Sequence, residues 1–146
     1  MKPLQVAPLA QLAACLLLLA AFVAASGCGD GRLETYPVIG SVLVDSKPAD
    51  GAMVIFCPTT GPEELLRMRP FGFTGPDGKF ELTTFDKADG LPAGEYKIII
   101  RWPTGGAGSR SPDRLKGKYM NLEQSQLTAT IGPDSGELPP FELKTK

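Results

Sequence analysis

From Tyr36 onward, apolar and polar residues alternate with a period of two, the spacing of strands that bury one face. Val38–Val44 is β-branched and reads as the first strand. In Lys79–Thr83, Phe80 and Leu82 point inward; in Tyr96–Trp102, Tyr96, Ile98, Ile100 and Trp102 share one face. Leu127, Ala129 and Ile131 alternate with threonines, and Phe141 and Leu143 alternate with Glu142 and Lys144. A further strand is expected over Arg69–Thr74, with Phe71 and Phe73 on one side. Ala52–Cys57 is apolar on both faces, which suits a central strand. Its second face, Met53, Ile55 and Cys57, needs cover from another segment, or else stands as a stripe able to recruit a partner.

Turn chemistry separates these runs. Lys47–Gly51, Gly75–Gly78 and Leu91–Gly94 each combine a proline, which fixes φ, with a glycine that accepts φ > 0. Seven short strands punctuated in this way predict an all-β domain, a seven-stranded antiparallel β-sandwich. The one helical signal is Pro62–Arg67, with proline suited to the first turn and Glu63 and Glu64 near the N-terminus. It predicts one or two turns on a connection. Residues 103–124 carry no strand pattern, and a stretch of that length in a small domain is usually functional or disordered.

The N-terminal residues are of another kind. Residues 1–27 hold one charged side chain, Lys2, and Leu12–Ala25 is uninterruptedly apolar. As a helix that run would span only about 21 Å, short of a hydrocarbon core of roughly 30 Å. Residues 1–27 therefore read as a helical secretory signal peptide rather than a permanent span. Ala25-Ser26-Gly27-Cys28 then resembles the lipobox of bacterial lipoproteins, although Ala25 stands where that family usually has Leu. The resemblance implies cleavage before Cys28, acylation of its sulfur and its new amine, and membrane lipid as a partner. Residues 28–35 become a lipidated cysteine and tether, and 36–146 the folded domain. Location is the bacterial cell envelope, on the periplasmic face or the outer membrane; Asp30, second after the cysteine rather than first, does not select the leaflet. Cys15 leaves with the signal, so Cys57 has no intramolecular partner and reads as a small buried hydrophobe.

Within the domain, Gly40-Ser41-Val42 with Asp45, and Pro48-Ala49-Asp50-Gly51-Ala52-Met53-Val54, look like the opening of carboxypeptidase-regulatory-like domains. Thr74 with Asp77-Gly78-Lys79-Phe80, and Leu91-Pro92-Ala93-Gly94-Glu95-Tyr96, resemble two further motifs of that family. The resemblance covers about Val38–Trp102 and implies a prealbumin or transthyretin-like sandwich. These motifs make turns and fill cores; they bring no catalytic residue and no cofactor.

Composition narrows the chemistry. The chain has no histidine, which excludes imidazole catalysis and His-ligated zinc. The transthyretin-like group includes a histidine-dependent hydrolase of 5-hydroxyisourate, and this chain, ending Lys144-Thr145-Lys146, lacks its residues. No catalytic or metal site is expected. With 15 basic and 16 acidic side chains, nothing in the net charge points to nucleic acid. Asp86-Lys87-Ala88-Asp89-Gly90 superficially resembles a calcium loop but lacks its ligand pattern and reads as a turn. Arg110, Arg114, Lys116 and Lys118 form a candidate contact for an anionic surface such as lipid headgroups. The expectation is a non-enzymatic interaction or structural module with an unknown protein or glycan partner. The alternative is a small-ligand or carbohydrate-binding domain, for which Trp102, the single tryptophan on a core-facing position, offers little.

Overall fold

The computed structural model describes residues 31–146. The expected signal peptide, Cys28 and the first tether residues lie outside the described residues. The rest forms β1 (Thr35–Tyr36), β2 (Ile39–Val44), β3 (Lys47–Pro48), β4 (Met53–Pro58) and α1 (Glu63–Leu66). Then follow β5 (Phe71–Phe73), β6 (Lys79–Glu81), β7 (Leu91–Pro92), β8 (Gly94–Arg101), β9 (Thr128–Ile131) and β10 (Phe141–Leu143). The described chain is all-β apart from one helical turn. No helix among the described residues is long and apolar enough to cross a membrane.

Every run with the period-two pattern contains a strand, and three two-residue strands join them. Lys47–Pro48, expected as turn, pairs instead with Leu43 and Val44 as β3. The turn proper is Asp45–Ser46, both with positive φ (48° and 67°), the geometry that matches the twist of a tight hairpin. Thr35, the last residue of the expected tether, already pairs with Pro92, and Tyr36 with Leu91.

One sheet has the order β5-β4-β8-β9; in the other, β2 pairs with β10, β3 and β6. β10 runs parallel to β2, with Phe141 opposite Val42 and Leu143 opposite Val44. That pair departs from the fully antiparallel expectation. Parallel neighbours need a crossover, and here the chain passes through the other sheet between β2 and β10.

One core cluster draws on both sheets: Val42, Val44, Phe80, Phe141 and Leu143 from one, Val54, Phe56, Tyr96, Ile98 and Ile100 from the other. Phe56 is central, its ring centroid 6.4 Å from Phe80, 5.8 Å from Tyr96 and 6.2 Å from Phe141. Two glycines let the layers close. A Cβ on Gly40 would sit 2.4 Å from the Phe80 ring, and one on Gly72 would sit 2.3 Å from the Glu81 carbonyl oxygen. Past that contact, Phe71 and Thr83 form a bridge that seams β5 to the chain after β6.

β8 gives the domain two ends, separated by roughly 23 Å of strand. The near end holds Gly94, the β1–β7 ribbon and α1, whose Leu65 is buried and packs toward Gly61 and Gly94. The far end holds Arg101, the Asp45–Ser46 turn and the C-terminal residues, with Asp45 bonded to Thr145.

Candidate functional site

Three of the five exposed large apolar side chains among the described residues, Ile39, Phe71 and Phe73, lie beside the β5–β6 seam. Gly72 faces inward because only a glycine fits against Glu81, so its neighbours Phe71 and Phe73 must face outward. Their rings are 38% and 37% exposed, 5.7 Å apart and edge-on to each other. Met53 and Ile55 lie opposite them in register and are half-buried. An open groove of about 390 Å³ runs past Phe73, walled by Ile39 and Phe80 and rimmed by Asp77, Lys79 and Glu81. Its charged groups are held: the Asp77 carboxylate accepts the Lys79 N–H at 3.0 Å, and Lys79 Nζ lies 3.6 Å from Glu137. The groove thus sets an apolar wall under a rim of both signs.

The stripe on the second face of β4 is covered at one end only. Cys57 is a free thiol, 2% exposed, and burial pushes its pKa up against a smaller lowering by Arg69. It packs as a small hydrophobe, as its apolar surroundings in the sequence indicate. Toward the far end, the 103–111 segment approaches but leaves the aromatic pair open: a Cβ on Gly108 would stand 4.0 Å from Phe73.

Residues 103–124 are ordered by hydrogen bonds rather than by regular strands. The Asp113 carboxylate accepts N–H groups of Trp102 (2.8 Å), Leu115 (3.1 Å) and Gly117 (2.8 Å). The Arg101 guanidinium donates to the Ser109 and Ser111 carbonyls, Leu115 is buried, and the Tyr119 carbonyl accepts the Ile100 N–H. Trp102 packs against the core cluster from its core-facing position, although only partly buried. It lies just past the end of β8, half-buried, with Nε1 donating to the Asp50 carbonyl at 2.8 Å.

The four basic residues singled out from the sequence all belong to the far end. Arg114 lies 4.8 Å over the Trp102 ring, and Lys118 Nζ donates to the Lys144 and Lys146 carbonyls. Arg110 and Lys116 are exposed on the same loop. The chain enters the domain at the near end, through β1.

The 86–90 segment is a turn anchored by one carboxylate. Burial opposes the charge on Asp89, but N–H groups of Thr84 (2.7 Å), Phe85 (2.9 Å) and Asp86 (2.9 Å) outweigh it and lower its pKa. Both Asp89 oxygens thus serve the backbone. Thr74, buried in the next layer, plays a similar part: its hydroxyl donates to the Ala49 carbonyl and accepts the Ala52 N–H at 2.8 Å.

Tyr96 ties core to ribbon. Its hydroxyl donates to the Pro92 carbonyl in β7 at 2.7 Å, and burial pushes the phenol up to about 12. The folded state therefore binds a proton that the unfolded state releases above pH 10. The associated stability is complete below pH 10 and is lost as pH rises through about 12. Tyr96→Phe is expected to cost about 1–2 kcal/mol at neutral pH and to weaken that alkaline decline. Urea titrations at pH 7, 10 and 11 read both effects; an unchanged alkaline slope in the variant would contradict the assignment.

Comparison of the chain with models of known families, with curated proteins and with solved structures finds no match.

Proposed function

We propose that the chain is a bacterial lipoprotein: a lipid anchor at Cys28, a short tether, and a non-catalytic domain that acts as an interaction module in the cell envelope. The observation that carries this reading is the position of Cys28, directly after Ala25-Ser26-Gly27 and seven residues before Thr35, where pairing begins. Two or three acyl chains, at about 0.8 kcal/mol per buried CH₂, hold a protein stably on a membrane. Five residues from Cys28 to Leu33 span at most about 18 Å, so the near end stays close to the bilayer. In this reading the domain is a seven-stranded sandwich of transthyretin-like type, with the seven longer strands as its frame and the two-residue strands as trimmings. Its location is the periplasmic face or the outer membrane.

The interaction role rests on the exposed Phe71–Phe73 pair, since apolar rings left at the surface of so small a domain suit a partner. A second reading, a small-ligand or carbohydrate-binding lipoprotein, is favoured by the groove along Phe73 with its Asp77, Lys79 and Glu81 rim. Intact-mass measurement of the membrane-extracted chain tests the anchor. The expected mass is that of residues 28–146 plus diacylglyceryl and acyl groups, and Cys28→Ser abolishes both the added mass and the membrane fraction. An unprocessed or unacylated wild-type chain would sink this reading. Calorimetry of the chain with neutral sugars, alongside Phe73→Ala, tests the second: heat that vanishes in the variant supports it, and no heat from any sugar removes it.

A further inference from the structure

The near-zero net charge of the whole chain conceals two oppositely charged ends. β2 and β8 both run from the near end, where the Ile39 N–H meets the Gly136 carbonyl, to the far end, where the Lys144 N–H meets the Tyr119 hydroxyl. Among the charged side chains around the far end are Arg110, Arg114, Lys116, Lys118, Lys144 and Lys146, against Asp45, Asp50, Asp77 and Asp113. Among those around the near end are Glu34, Glu63, Glu64, Glu95, Asp134 and Glu137, against Arg67, Arg69 and Lys87. Asp113 is half-buried and accepts three backbone N–H groups, Asp45 and Asp50 are exposed, and so are the more numerous basic side chains, Arg110, Arg114, Lys116 and Lys118 among them. The outward field at that end is therefore positive.

Aromatic surface adjoins this charge. Arg114 lies over Trp102, and Lys118 lies 5.5 Å from the Tyr119 ring centroid. The exposed Phe71–Phe73 pair extends from the same end, with Met53 joining Phe73 to Arg101 across the register. The exposed Phe71 and Phe73 rings offer faces for stacking and the neighbouring loop cations offer partners for carboxylates, which together suit an acidic sugar chain. They suit a bilayer less. The rings of Trp102 and Tyr119 are held partly buried under cations instead of protruding, and the chain enters at the opposite, acidic end.

We propose that the basic far end and the adjoining phenylalanine track bind a carboxylate-bearing glycan strand. This deepens the interaction-module reading by naming the chemistry of its partner. It rests on the lipoprotein reading only for the direction the surface faces, away from the anchoring bilayer.

The test uses the full chain reconstituted in neutral phosphatidylcholine vesicles, with the intact mass of the same preparation reporting acylation. Fluorescent polygalacturonate, neutral dextran, and separate anionic phosphatidylglycerol vesicles are offered at low and high salt. The expected result is salt-sensitive capture of polygalacturonate and none of dextran. The exposed triple change Arg110→Ser, Lys116→Ser and Lys146→Ser lowers that affinity at least about tenfold. Glu63→Ser with Glu64→Ser, at the other end, leaves it unchanged, and equal melting temperatures show that both variants fold. Failure of wild type to capture polygalacturonate, capture unaffected by the triple change, or stronger capture of the anionic vesicles overturns the proposal. A chain that carries no acyl groups refutes the anchor instead, and glycan binding is then read from its electrophoretic shift in free solution.

Discussion

Gly90→Ala is expected to remove about 3–4 kcal/mol of folding stability, a large share of what a small domain possesses. Gly90 has φ +85°, and a Cβ there would stand 1.8 Å from the Tyr36 carbonyl oxygen, 2.4 Å from its carbon and 2.7 Å from Pro37 Cα. All three are backbone atoms, so no side-chain rotation relieves the overlap. Either the 84–90 turn, fastened by Asp89, or the chain leaving β1 must move. Gly117→Ala separates the two sources of cost. Gly117 has φ +77° with nothing within 4 Å, so it carries the backbone penalty of about 1 kcal/mol without the clash. Urea midpoints for the two variants should differ severalfold in their displacement from wild type. Equal displacements would mean that the close packing of Gly90 on Tyr36 contributes nothing.

Phe56→Ala is expected to cost about 4 kcal/mol. The Phe56 side chain is fully buried and touches aromatic rings from both sheets, so truncation opens a cavity that neither sheet can close alone. Phe80 and Phe141, stacked at 11°, would lose a tilted and an edge-on contact with Phe56, respectively. Phe71→Ala supplies the contrast: that ring is 38% exposed and should change stability by no more than about 0.5 kcal/mol. Thermal unfolding of the two variants orders them, and a Phe71→Ala loss equal to that of Phe56→Ala would show that the outer pair belongs to the core.

The contrast between these phenylalanines also marks how far the chain could be read from its residues. Alternation places Phe80, Tyr96, Ile98, Ile100, Phe141 and Leu143 inside, and all are buried. It places Phe71 and Phe73 together but cannot say on which face. That depends on the contact of Gly72 with Glu81, a residue of another strand. A glycine between two phenylalanines is a usable signal: where the inner face is crowded against backbone, the small residue goes in and the large ones go out. The two-residue strands were invisible for a simpler reason, since two residues carry no period. Lys47–Pro48 has turn composition, yet it pairs because Asp45 and Ser46 both accept positive φ. The parallel placement of β10 likewise depends on which neighbour a distant strand meets. Trp102 continues the inward series of β8 one residue beyond the last paired position, packing on the core while its N–H meets Asp113. The basic residues of 103–124 were legible as a cluster, but their side of the domain became readable only through the direction of β8.

The two-residue ribbon has a mechanical consequence. Tension on the chain ahead of Leu33 enters the domain through Thr35 and Tyr36, and their pairing with Leu91 and Pro92 is the first to bear it. Behind that pairing, β2 is held by three partner strands and the core. A pull from that side should therefore peel off β1 and pay out a few residues of chain, while the sheets behind it stay closed.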